Sequence, residues 1–257
     1  MADTLVVGID FGTTFSGVAA AYSANPESPD EINIIKTWPG GNNITSDKVP
    51  SEVTYGSLHT PASTSHAFDA FNLNTLSDVL GGAKRTASRA DQMRWGFQIR
   101  PDEDRLRCLK LFLDPSQPIP DYVSLPDIER QLMACGKSVD TVVAEYLRAL
   151  FAHTKEILGR RYGREFVATT PLIVVLTVPA VWSDTAKDAT LQAAEAAGMG
   201  DALAMISEPE AAAVYTLQAI PPNHLTVGHN FLMRLSRRSY YGDLSRAKHV
   251  AATPISP

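Results

Sequence analysis

The stretch "VVGIDFGTTFSGVAAAYS", Val6 to Ser23, constrains the fold more than any other part of the sequence. An apolar, β-branched run stops at Asp10-Phe11-Gly12-Thr13-Thr14 and then resumes at Phe15. Two such runs flanking a short polar turn predict a β-hairpin, Leu5–Ile9 paired with Phe15–Tyr22. A hairpin needs a core to lean on, and 257 residues with 44% apolar side chains are enough to build one.

The second half of the chain shows what that core is made of. After Ser138, apolar residues recur at helical spacing through Val139, Val142, Val143, Tyr146, Leu147, Leu150, Phe151, Ile157 and Leu158, and Gly159 is expected to end the helix. "PLIVVLTVPA" reads as a strand covered on both faces. Ser183 or Asp184 can cap the next helix, "TAKDATLQAAEAAG", which Gly198 closes. "LAMISEPEAAAVYTLQA" repeats the strand-then-helix theme, with a turn expected at Glu208-Pro209. Strands alternating with helices predict an α/β layered domain. Between the two halves, "INIIKTW" and "VPSEVTYG" are candidate strands, residues 57–92 form an irregular or inserted segment, and regular structure is expected again at "RWGFQIR" and "RCLKLFLDP".

Several function classes are disfavoured. The net charge is −5 and basic residues are scattered until the last stretch, so no nucleic-acid partner is expected. Cys108 and Cys135 are too few for a disulfide framework or a thiolate metal site, and the six histidines show no metal-binding spacing. No basic leader precedes the first apolar run, and no apolar run approaches the roughly 20 residues that cross a bilayer. No membrane association is expected; a cytoplasmic location is, with the nucleus as the alternative. "CGKS" at Cys135–Ser138 lacks the glycine of a P-loop, because Gln131 stands in its place, and reads as the start of a helix. Gly81-Gly82 lacks the strand, helix and acidic partner of a dinucleotide fingerprint.

The opening hairpin does carry chemistry. Gly12 lets backbone approach a ligand, successive N–H groups in a tight turn attract an anion, and the hydroxyls of Thr13 and Thr14 add donors. Asp10 would repel a phosphate unless a divalent cation, most often Mg²⁺ with retained waters, lay between them.

"GIDFGTTFSGVA" resembles the first phosphate loop of the superfamily that includes actin, sugar kinases and the heat shock protein 70 chaperones. "LTVPAVWSDTAKDATLQAAEAAGM" and "ISEPEAAAVYTL", following in that order, resemble the chaperone branch. Glu210, where common chaperones carry threonine, and "VWSD" are more typical of the divergent members abundant in fungi. The resemblance runs from Leu5 to Gly228 and implies the first lobe of an actin-like (ribonuclease H-like) ATPase, a mixed sheet flanked by helices. The core subdomain would comprise residues 1–37 and 138–222, and residues 38–137 a smaller inserted subdomain.

What the resemblance implies for the site is specific. ATP or ADP with Mg²⁺ would be the ligand, with client or co-chaperone proteins as partners. Asp10 would meet the metal through water, Gly12, Thr13 and Thr14 would line the phosphates, and Glu208 would help hold the metal's water shell. A lysine would face the terminal phosphate, where a cation stabilises the charge of phosphoryl transfer; Lys110 is the first choice and Lys84 its rival. Pro179 resembles a proline that relays lobe movements.

Beyond "AIPPNHLTVG" the resemblance ends where a second, glycine-rich phosphate loop would be expected. Residues 229–257 hold Arg234, Arg237, Arg238, Arg246 and Lys248 against the one acid Asp243, whereas residues 1–228 are acidic on balance. The expectation is an aberrant basic tail, 223–257, in place of a second lobe, arising from a frame slip, retained intron or altered splice. A chain truncated in this way would bind ATP weakly or not at all and would not hydrolyse it. The alternative is a non-enzymatic interaction or scaffold protein that keeps the lobe fold.

Overall fold

The computed structural model describes residues 4–22, 32–42, 44–56, 93–200 and 202–219. The segment 57–92 with Lys84, and the basic tail, lie outside the described residues.

Strands β1 (Leu5–Asp10) and β2 (Phe15–Tyr22) form the expected antiparallel hairpin, in a register from Leu5↔Tyr22 to Asp10↔Gly17. β3 (Asn33–Ile34) pairs with the far half of β2, and β4 (Lys48–Pro50) with its near half. β5 (Val53–Tyr55) and β6 (Met93–Trp95) make a separate two-stranded sheet. Helices α1 (Leu125–Cys135), α2 (Val139–Tyr162) and α3 (Arg164–Thr169) follow. β7 (Leu172–Val178) runs parallel to β1, helix α4 (Asp184–Ala196) crosses over, β8 (Leu203–Ser207) runs parallel to β7, and α5 (Glu208–Ala219) leaves its end. The main sheet has the order β3-β2-β1-β7-β8, with β4 added to β2. It is therefore a mixed α/β sheet with flanking helices, as expected. Among the described residues no helix is long and apolar enough to cross a membrane.

Alternation in β1 buries Leu5, Val7 and Ile9. Val7 and Ile9 share one core cluster with Val174 and Leu176 of β7 and the inner face of α2, including Val142, Val143, Leu147, Leu150 and Leu158. Each such side chain contributes roughly 1.5–3 kcal/mol through burial. β7 is less enclosed than its continuous apolar sequence predicts: on one face Val174, Leu176 and Val178 are buried, and the other face is half-buried.

Other expectations are corrected. α2 does not stop at Gly159. It continues to Tyr162, and Gly163, at φ 96°, turns the chain. Gly159 is instead the point where α3 comes close, since a Cβ there would lie 3.3 Å from Arg164 Cγ. "VPSEVTYG" is two strands in two different sheets, broken where Ser51 turns inward to share a hydrogen bond with Ser16, Oγ to Oγ 2.8 Å. "INIIKTW" is a strand only at Asn33–Ile34. "RCLKLFLDP" is a 3₁₀ turn over Leu109–Leu113, entered through Cys108 in the left-handed region. Of "CGKS", Gly136 at φ 64° closes α1 while Ser138 caps α2. No turn separates β8 from α5. Ser207 and Glu210 form a reciprocal capping pair in which the Glu210 carboxylate accepts from Ser207 N–H and Oγ–H, and Ser207 Oγ accepts from Glu210 N–H. Ser183, rather than Asp184, caps α4, and Gly198 at φ 79° follows its end as predicted.

Asp114 joins the 3₁₀ turn to α4. It is 1% exposed and accepts from Ser116 N–H and Oγ–H and from Ser183 N–H and Oγ–H. The Ser116 hydroxyl, followed by the Ser183 and Ser116 amides, holds its carboxyl below the ordinary carboxylate range. A depressed folded-state pKa gives stability that is present above the unfolded value of about 4 and is lost as pH falls through the folded one. Urea midpoints measured across that range should therefore fall more steeply with acid for the natural protein than for Asp114→Asn. Parallel slopes would show that this carboxylate does not govern acid stability.

Candidate functional site

The turn after β1 is built so that its backbone stays tight. Phe11 is buried against Tyr146, with ring centroids 5.8 Å apart. The Thr14 carbonyl accepts from Ser51 N–H at 2.9 Å. Gly12 is required by space, because a Cβ there would sit 2.2 Å from the Phe15 carbonyl oxygen. A bare Cα at this point also leaves backbone open to a ligand.

Around this turn lies an open cavity of about 640 Å³. It collects Asp10, Gly12, Thr13 and Thr14 from the hairpin, Lys110 from the 3₁₀ turn and Glu208 from the start of α5. These six residues singled out in the sequence share one cavity, while Lys84, the rival to Lys110, lies outside the described residues. Pro179, at the end of β7, lines it as well.

The electrostatics are paired. Lys110, only 4% exposed, donates from Nζ to Glu208 Oε1 at 2.7 Å and lies 5.3 Å from the Trp182 ring centroid. Burying an ammonium is costly without a counter-charge, and Glu208 and the aromatic face provide that compensation. Glu208 itself sits in the first turn of α5, where the helix dipole favours an anion. Asp10 accepts from Thr177 Oγ1 at 3.2 Å through Oδ1 and from Lys48 Nζ at 2.7 Å through Oδ2.

Lys48 and Thr177 were missed in the sequence. Thr177 left a trace, a hydroxyl within the apolar run "LIVVLTV". Lys48 left none, because its place depends on the pairing of β4 with β2. Tyr146 helps to hold that strand: its phenol donates to the Pro50 carbonyl at 3.2 Å, and burial pushes its pKa up to about 12.

The residues suit a polyphosphate. Two ammonium groups, two threonine hydroxyls and an uncovered glycine backbone face one cavity with carboxylates at its edge. Among the described residues no three His, Cys, Asp or Glu side chains converge as a metal-binding group. A divalent cation here would be held by a carboxylate, waters and the ligand's own oxygens, which is the habit of Mg²⁺.

No family model matches the chain. It is similar to heat shock 70 kDa protein 12A of Homo sapiens, 27% identical over 219 residues that make up 82% of this chain and 28% of the relative. It is similar also to heat shock 70 kDa protein 12B of Homo sapiens, 28% identical over 221 residues, with the same shares. A third relative is a chaperone protein HscA homolog of Tolumonas auensis, 30% identical over 210 residues, or 81% of this chain and 27% of that protein. The chain thus spans less than a third of the length of the curated relatives it matches.

Proposed function

We propose that this chain provides the phosphate-binding lobe of a heat shock protein 70-like ATPase, with the fold of the first lobe of actin-like ATPases. Residues 38–137 would then be the inserted subdomain. One observation carries the reading: Lys110 and Glu208, 98 residues apart in sequence, meet at 2.7 Å beside the Asp10–Thr14 turn.

Gly12, Thr13 and Thr14 would hold phosphate oxygens, and Lys110 would place its charge opposite the terminal phosphate. Asp10 and Glu208 would orient waters around Mg²⁺. That ion, when bound, neutralises phosphate charge and polarises the transferring group. The described residues form one wall of such a site. These residues by themselves would bind ATP weakly and would not turn it over. Client or co-chaperone proteins are the proposed partners. A second reading, an interaction protein that keeps the lobe as a scaffold, draws support from the exposed Val181 and Tyr215, the latter 68% exposed.

The test is titration of the whole chain with a fluorescent ATP analogue. Saturable binding is expected, weakened about tenfold or more in Lys110→Met, since a charge-assisted hydrogen bond is worth roughly 1.5–3 kcal/mol. Thermal stability should survive, because methionine fills similar space without a cation to desolvate. Absent binding, or equal binding by the variant, would overturn the assignment.

A further inference from the structure

Asp10, Gly17 and Lys48 lie in one row across three strands: Asp10 of β1 pairs with Gly17 of β2, and Gly17 pairs with Lys48 of β4. Side chains in such a row share a face of the sheet. The middle position has no side chain. A Cβ on Gly17 would lie 3.4 Å from Lys48 Cγ and 3.7 Å from its Cε, so the lysine stem runs directly over that bare Cα. It ends with Nζ 2.7 Å from Asp10 Oδ2, at the rim of the cavity that Thr13 and Thr14 line.

A hydrated cation that bound Asp10 would meet this lysine at the same carboxylate. The other carboxylate of the cavity, Glu208, already has Lys110. Both members of the Lys48–Asp10 pair are substantially exposed, so the pair is held weakly and can exchange partners.

We propose that Lys48 determines the metal requirement of the phosphate site. It supplies a built-in counter-charge to Asp10, competes with the divalent cation for that carboxylate, and lets the turn accept a polyphosphate without metal. This rests on the nucleotide-binding reading. Lys48 is the one ion-pair partner of Asp10 among the described residues, and without it a cation from solvent would have to offset the carboxylate beside the phosphates.

The test measures affinity of the whole chain for a fluorescent ATP analogue, once with excess Mg²⁺ and once with EDTA. The natural protein should lose only a few-fold in EDTA. Lys48→Met should widen that ratio by about tenfold, and Lys48→Arg should behave like the natural protein. In an Asp10→Asn background the Lys48→Met change should no longer alter the ratio, because no carboxylate is left to neutralise. An unaltered ratio in the single variant, or an undiminished effect in the Asp10→Asn background, overturns the role of Lys48 while leaving nucleotide binding intact. Absence of saturable binding by the natural protein in either buffer overturns the nucleotide reading, and the role of Lys48 with it.

Discussion

Phe11→Ala is expected to cost about 3–5 kcal/mol of unfolding free energy, the range for truncating a buried aromatic side chain. Phe11 is 2% exposed, yet it belongs to the polar turn that faces the cavity. Its ring packs on Tyr146 of α2, and that contact fixes the turn to the long helix. Removing the ring opens a void in the core and frees Asp10 and Gly12 on either side. Phosphate binding should therefore weaken along with stability. Phe11→Leu retains most of the volume and should cost less than about 1.5 kcal/mol. Urea unfolding would decide. A loss below about 1 kcal/mol in the alanine variant would mean that hydrogen bonds such as Ser51 N–H to the Thr14 carbonyl hold the turn without the aromatic anchor.

Gly12→Ala should remove function with a smaller effect on stability. The added methyl would lie 2.2 Å from the Phe15 carbonyl oxygen, a backbone atom that cannot swing aside. The turn must open, at a cost of about 1–3 kcal/mol for overpacking. The groups it aims at the ligand then move, and a displacement of about 1 Å can cost on the order of a hundredfold in a positioned site. Gly8→Ala is the control: its Cβ would meet Ala19 O at 3.9 Å, an ordinary contact, so binding should be kept. Equal binding by the Gly12 and Gly8 variants would show that the turn does not position phosphate.

The elements read correctly from sequence were those with a strong local signal. α2 had a clear apolar period, the hairpin had two apolar runs around a polar turn, and Ser138, Ser183 and Gly198 marked helix ends with residues suited to those positions. The misreadings came where neighbours in space decided. Gly159 has the composition of a stop signal but serves a close helix contact, and the chain turns at Gly163 instead. α1 and α3 were not read from the sequence; α3 is a six-residue helix, too short for a period to show. "VPSEVTYG" looked like one strand because nothing local tells Pro50 and Val53 to join different sheets.

The same division holds for the site. Sequence alone supplied the residue types of the turn at Asp10, Gly12, Thr13 and Thr14, and the family resemblance pointed to Glu208 and, ahead of Lys84, to Lys110. Only the tertiary structure decided that Lys110 pairs with Glu208 across 98 residues, and that Lys48 reaches Asp10 across 38. The physical reason is register. A strand's composition says which residues can line a sheet, but the pairing of β4 with β2 selects the lysine that lies over Gly17. That choice is made by long-range packing, which no local pattern of residues records.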